Sequence, residues 1–129
     1  MKRLALLTAL LVALAQPVAA QGWVAEVVSA TGDIFYLDYK TMHRAENVVR
    51  VWTIVDYKRN RGRDRDEVIL SSKTLREYDC EQKRFRWLRS FNFESHMGRG
   101  EVVDAYRGTN QWDSVAPGTV EHDLLLAAC

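Results

Sequence analysis

Cys80 and Cys129 are the only two cysteines among 129 residues, and they stand behind a segment with the form of an export leader. Met1-Lys2-Arg3 is a short positive start, Leu4 to Ala15 is an apolar run, and Val18-Ala19-Ala20 places small residues where a signal peptidase cuts. That run would rise only about 18 Å as a helix, against about 30 Å for the hydrocarbon core of a bilayer. It therefore reads as a signal peptide over residues 1–20, cleaved near Ala20/Gln21, and not as a membrane span. Gln21 rather than a cysteine follows the expected cut, so no lipid anchor is expected there. The mature part, residues 21–129, is expected to be exported, periplasmic or secreted, in a space where thiols oxidise. Only one pairing is available, so a Cys80–Cys129 disulfide is expected. It would close a loop of about 50 residues, for which the chain-entropy estimate is roughly 4 kcal/mol.

The mature sequence carries all 13 aromatic residues, four Trp, five Tyr and four Phe, which is ample apolar surface for one folded domain and excludes disorder. Without Lys2 and Arg3 its 16 basic and 17 acidic residues give a net charge of −1, so bulk charge does not favour nucleic acid. Short β-type runs alternate with turn signals: Trp23 to Ser29, Ile34 to Tyr39, Val48 to Tyr57, Val68 to Cys80, Phe85 to Phe93 and Glu101 to Arg107. In the third, Val49, Val51, Thr53, Val55 and Tyr57 alternate with Arg50, Trp52, Ile54 and Asp56, a period of two that argues strand. In the fifth, strict alternation would put Phe85, Trp87, Phe91 and Phe93 on one face with Arg89, and Arg84, Arg86, Ser90 and Asn92 on the other. Residues 81–84 are expected to form the hairpin turn before it.

The period changes after Ala116-Pro117-Gly118. Thr119 is a suitable N-cap, Glu121 and Asp123 suit the positive end of a helix, and Val120, Leu124 and Ala127 recur at helical spacing. A helix this short is marginal alone and must dock on the sheet. The expected fold is α+β: a single antiparallel sheet of about six strands with a C-terminal helix packed on one face and tied to it by the disulfide.

No constellation for chemistry emerges. His43, His96 and His122 are isolated, so no metal site is expected, and Asp64, Asp66 and Glu67 resemble a calcium loop without its glycine and distal Glu. Ser71 and Ser72 lack a nucleophile elbow. Neither an enzyme nor a cofactor is expected. Two basic clusters remain: Lys58, Arg59, Arg61, Arg63 and Arg65 in one loop, made mobile by Gly62, and Lys83, Arg84, Arg86 and Arg89 interleaved with aromatics. Arginine presents a fixed fork of donors to carboxylates and sulfates, and with exposed aromatics it suits a protein partner or acidic macromolecular ligand.

Tyr36-Leu37-Asp38, the Val48 to Lys58 run, Ser72-Lys73, Tyr78-Asp79-Cys80, Gly98-Arg99-Gly100 and Val115 to Gly118 leading to Cys129 together resemble the bacterial surface-adhesin protein E family. The resemblance runs from about Trp23 to Cys129. It implies a bent sheet with the C-terminal helix held on its concave side by the Cys80–Cys129 bridge, recognition of host or cell-surface proteins, and a homodimer. It also implies ligand contact around Lys73, Arg76, Lys83, Arg84 and Arg86. The leading expectation is thus a small exported non-enzymatic binding module. The alternative is a soluble periplasmic accessory or structural protein with no host ligand, suggested by the missing anchor.

Overall fold

The computed structural model describes residues 22–129, so the expected signal peptide and its cleavage point lie outside it. Eight strands form one antiparallel sheet: β1 (Trp23–Val28), β2 (Ile34–Asp38), β3 (His43–Ala45), β4 (Val48–Asp56), β5 (Ser71–Asp79), β6 (Arg84–Phe93), β7 (Val102–Arg107) and β8 (Asp113–Ser114). Helix α1 (Val120–Ala128) follows. The strand order is β1-β2-β4-β5-β6-β7, with β3 paired to β4 and β8 paired to β6.

The expected count of about six strands is thus too low. The two additions, β3 and β8, have three and two residues, all exposed, and carry no apolar alternation to betray them. Backbone pairing to β4 and β6 alone defines them. The fourth run also starts later than expected, at Ser71, because residues 68–70 leave the ladder. The Ile69 carbonyl accepts from the Arg61 N–H, the Leu70 carbonyl accepts from the Tyr57 N–H, and the Leu70 N–H donates to the Phe93 carbonyl.

Period two in β4 governs the packing. Val49, Val51, Thr53 and Val55 stand opposite Tyr78, Arg76, Thr74 and Ser72 of β5, so these side chains share one face. Helix α1 lies over one end of that face. Leu124, Leu125 and Ala128 bury themselves against Leu37, Val49, Val51 and Tyr78, with Val115 completing the cluster. Thr119 caps the helix as expected, accepting the His122 N–H at 3.2 Å. Cys80 continues β5 on the same face and bridges to Cys129 across a Cα–Cα distance of 5.7 Å. The helix is therefore fixed at its last turn by sulfur and at its first turn by charge. Arg76 donates to both Glu121 carboxylate oxygens at 2.9 and 2.8 Å, and the Tyr78 hydroxyl donates to one of them at 2.7 Å.

The opposite face carries no helix. One end of it is covered by a 3₁₀ turn at His96–Gly98, whose Met97 N–H donates to the Asp56 carboxylate and whose Gly98 N–H donates to the Ser71 hydroxyl. Ile54 is buried beneath this turn.

Candidate binding surfaces

A bulge in β6 decides which side chains can act together. Leu75 pairs with Arg89, yet Arg76 pairs with Trp87, so Leu88 is the extra residue and the alternation of β6 inverts there. The expected single aromatic face is therefore wrong. Phe85 and Trp87 join the helix side together with Ser90 and Asn92, whereas Phe91 and Phe93 take the helix-free side. The same inversion brings Arg89 onto one face with Arg84 and Arg86. Gly108 N–H bonds to the Leu88 carbonyl at 2.9 Å. A Cβ on Gly108 would sit 1.8 Å from the Trp87 carbonyl oxygen, so only glycine lets the β7 edge approach the bulge.

The residues that the sequence singled out do not form one patch. Arg76 lies on the helix side, its side chain 12% exposed and committed to Glu121. Arg84 and Arg86 lie on the helix-free side but are ion-paired, Arg84 to Asp79 at 3.0 Å and Arg86 to Glu77 at 2.7 Å, and Glu77 also takes Arg50. The Trp112 ring lies 4.8 and 4.3 Å from these two guanidiniums. Lys83 is an exposed turn residue with φ 52°, and the turn itself spans residues 80–83, one earlier than expected. Lys73 stands on the helix-free face with its ammonium 4.9 Å from the Trp52 ring and 5.7 Å from that of Trp23.

Asp79 anchors the hairpin beneath them. Its carboxylate accepts the Gln82 and Glu81 N–H groups and the Arg84 guanidinium, and these hold it below the usual carboxylate range despite burial. A depressed folded value means stability that is present above the unfolded carboxylate pKa of about 3.9 and is lost as pH falls through the folded one. Asp79→Asn is therefore expected to lower the urea midpoint at pH 7 and to make the further fall below about pH 4 shallower than in wild type. An unchanged acid slope would exclude Asp79 from the titration.

The arginine-rich loop is tied down by side-chain hydrogen bonds to its own backbone. Asn60 Oδ1 accepts the N–H groups of Gly62 and Ile69, and Asp64 accepts those of Asp66 and Glu67. Arg63 pairs with Glu67 and reaches Asp104 of β7 with two bonds of 2.9 and 2.8 Å. A Cβ at Gly62 would fall 1.7 Å from the Glu67 carbonyl oxygen, so this glycine is required for close approach of the two loop strands. Arg61 bonds to Asp33 at 2.7 Å. Burial pushes the Asp33 carboxyl up, but the Lys58 N–H, Thr31 hydroxyl and Arg61 guanidinium together hold it below its ordinary value. Of the loop's own acids only Glu67 pairs with an arginine, while Asp33 and Asp104, from outside the loop, hold Arg61 and Arg63.

Among the described residues, Arg89, Arg107 and Lys73 make no ion pair. Arg89 and Arg107 are exposed and directly opposite across β6 and β7. Like charges in that position repel. The Arg89 guanidinium lies 5.5 Å from the Phe91 ring, and Phe91 stacks at 6.3 Å on Trp52. No local sequence pattern marks this row of cations and rings, because Arg107 reaches Arg89 only through strand pairing.

A family model described as surface-adhesin protein E matches residues 23–129. The chain belongs to the surface-adhesin protein E family. Among solved structures, the chain is similar to Haemophilus influenzae protein E. Crystal form II of that protein gives a TM-score of 0.68 at 13% identity over 84% of this chain and 87% of the other. A second structure of it gives 0.67 at 15% identity over 90% of each chain. Protein E from non-typeable Haemophilus influenzae gives 0.59 at 15% identity over 88% and 79%. No curated protein sequence matches the chain. At these identities the likeness carries the protein E fold, the antiparallel sheet with its C-terminal helix, and not the ligand.

Proposed function

We propose that this surface-adhesin protein E family member is an exported, non-enzymatic binding module that grips an acidic macromolecular partner with its helix-free face. The observation behind this reading is the Arg89–Arg107 pair. Two exposed guanidiniums held opposite each other without a carboxylate cost stability in the free domain, and an acidic ligand would remove that cost. Phe91, Trp52, Trp23 and Lys73 extend the surface with ring area and a further cation, which is the composition of interface anchors. Arg84, Arg86 and Lys83 lie on or near its rim. Arg84 and Arg86 would contribute through the field they create, because their direct donors are shared with Asp79 and Glu77.

Binding of wild type, R89A/R107A and R84A/R86A to heparin and to a panel of matrix proteins, each at two salt concentrations, tests the assignment. R89A/R107A is expected to bind about tenfold more weakly and with a flatter salt dependence. R84A/R86A is expected to lose chiefly hairpin stability. Equal, salt-insensitive retention of all three proteins would reject the surface. The family resemblance also brings a homodimer, for which the same face is available, so sedimentation should accompany the assay. Fractionation of the producing cell addresses export: confinement to the periplasm would favour an accessory role without a host ligand.

A further inference from the structure

The other face of the sheet holds a second feature that this reading does not use. Helix α1 covers only one end of its side. Beyond the helix, strands β4 to β7 line an open groove of about 420 Å³, within the size range of ligand pockets. Its floor is formed by Ser72 and Thr74 on β5 and by Ser90 and Asn92 on β6, and its walls by Tyr57, Trp87 and Tyr106.

These are central strands, where a sheet built for stability alone would place Val or Ile. Instead, hydroxyls stand in adjoining pairs, with those of Ser72 and Thr74 buried. Ser72 bonds to Tyr57 at 2.8 Å and to the Asn92 amide oxygen at 2.5 Å, and Thr74 meets Ser90 at 2.8 Å. Each hydroxyl has one donor and two acceptor positions, so this mutual bonding orients the set and leaves capacity facing the groove. Apolar packing given up over four neighbouring positions marks a place retained for something else.

The charge pattern selects the ligand class. Arg76 at one end is neutralised by Glu121, and Asp104 next to Asn92 is neutralised by Arg63. Nothing in the groove presents a free charge, which disfavours an anion or a cation. A hydroxyl floor disfavours a purely apolar ligand, and that floor lies on β5 and β6, both paired on each side, so it offers no unpaired backbone edge to a peptide. Alternating hydroxyl and ring surfaces fit a sugar, whose hydroxyls hydrogen-bond and whose C–H faces lie on aromatic rings. We propose that this groove binds a neutral saccharide.

The test titrates the labelled mature chain at millimolar concentration with neutral glucose-, galactose- and N-acetylglucosamine-based trisaccharides, and with a heparin fragment for comparison. The readout is the set of amide resonances together with the Trp87 indole N–H. A saturable shift of Trp87, Ser90 and Asn92 with at least one neutral sugar is expected. Tyr106→Ala, at an exposed wall position on the edge strand, is expected to weaken it about tenfold, or about 1.4 kcal/mol. Ser90→Ala, which keeps the Trp87 probe and the ring walls, should also weaken it. R89A/R107A should leave it unchanged, which separates this site from the acidic-ligand face. The absence of saturable shifts with every neutral sugar would overturn the proposal. So would shifts that survive both groove variants.

Discussion

Removing the disulfide as C80A/C129A is expected to lower the stability of the domain by about 4 kcal/mol. The bridge spans a sequence separation of 49 residues, so without it the unfolded chain regains the freedom of a long loop. A small domain has typically about 5–15 kcal/mol in all. For a domain of this size each kcal/mol moves Tm by several degrees, so a fall of about 20 °C is expected. Native contacts would change less. Leu124, Leu125 and Ala128 still bury against Leu37 and Val49, and Arg76 still holds Glu121, so the variant should retain its helix at low temperature while the last turn frays. Thermal unfolding by circular dichroism, on the variant and on reduced wild type, checks this. Both should show the same fall. An unchanged Tm would mean that packing and the ion pair alone hold the helix.

What could be read from the sequence follows how local its cause is. Alternation in β4 is a property of nine consecutive residues, the Thr119 cap acts three residues away, and the cysteine pairing has a single solution, so each was legible. Strands β3 and β8 were not, because their side chains bury nothing and only the neighbouring strand makes them strands. The site was harder for the same reason. Residue composition drew attention to the Lys83 to Arg89 cluster, but whether an arginine is spent or available depends on partners far along the chain. Arg84 and Arg86 meet acids of the preceding strand, while Arg89 meets Arg107. A single bulged residue, Leu88, then reassigns every side chain beyond it to the other face. No local pattern reveals such an insertion. The hydroxyl groove was likewise unreadable: Ser72 and Thr74 lie on one strand, Ser90 and Asn92 on another, and only strand pairing brings them together.

The second large effect lies at the other end of the helix. Arg76 and Glu121 are 45 residues apart, and their side chains are only 12% and 21% exposed. Glu121→Gln removes the counter-charge of the Arg76 guanidinium and replaces one of its two carboxylate acceptors by an NH2 donor, and breaking such a pair is expected to cost about 3 kcal/mol. Glutamine still accepts from the Tyr78 hydroxyl. Glu121→Ala does not, and a fully buried hydroxyl left without a partner adds about 1–2 kcal/mol. The order of stability in urea should therefore be wild type, then E121Q, then E121A. The double variant R76M/E121Q removes both charges and keeps the Tyr78 bond, so it should recover most of the E121Q loss. If E121Q is instead as stable as wild type, the pair behaves as a screened surface contact. Arg76 also separates structure from binding. Its guanidinium faces Glu121 on the helix side, so R76M/E121Q should retain wild-type binding to an acidic ligand, whereas R89A/R107A loses that binding in a domain of near-wild-type stability. A matching loss in R76M/E121Q would return Arg76 to the contact surface and require the acidic ligand to approach the helix-bearing face.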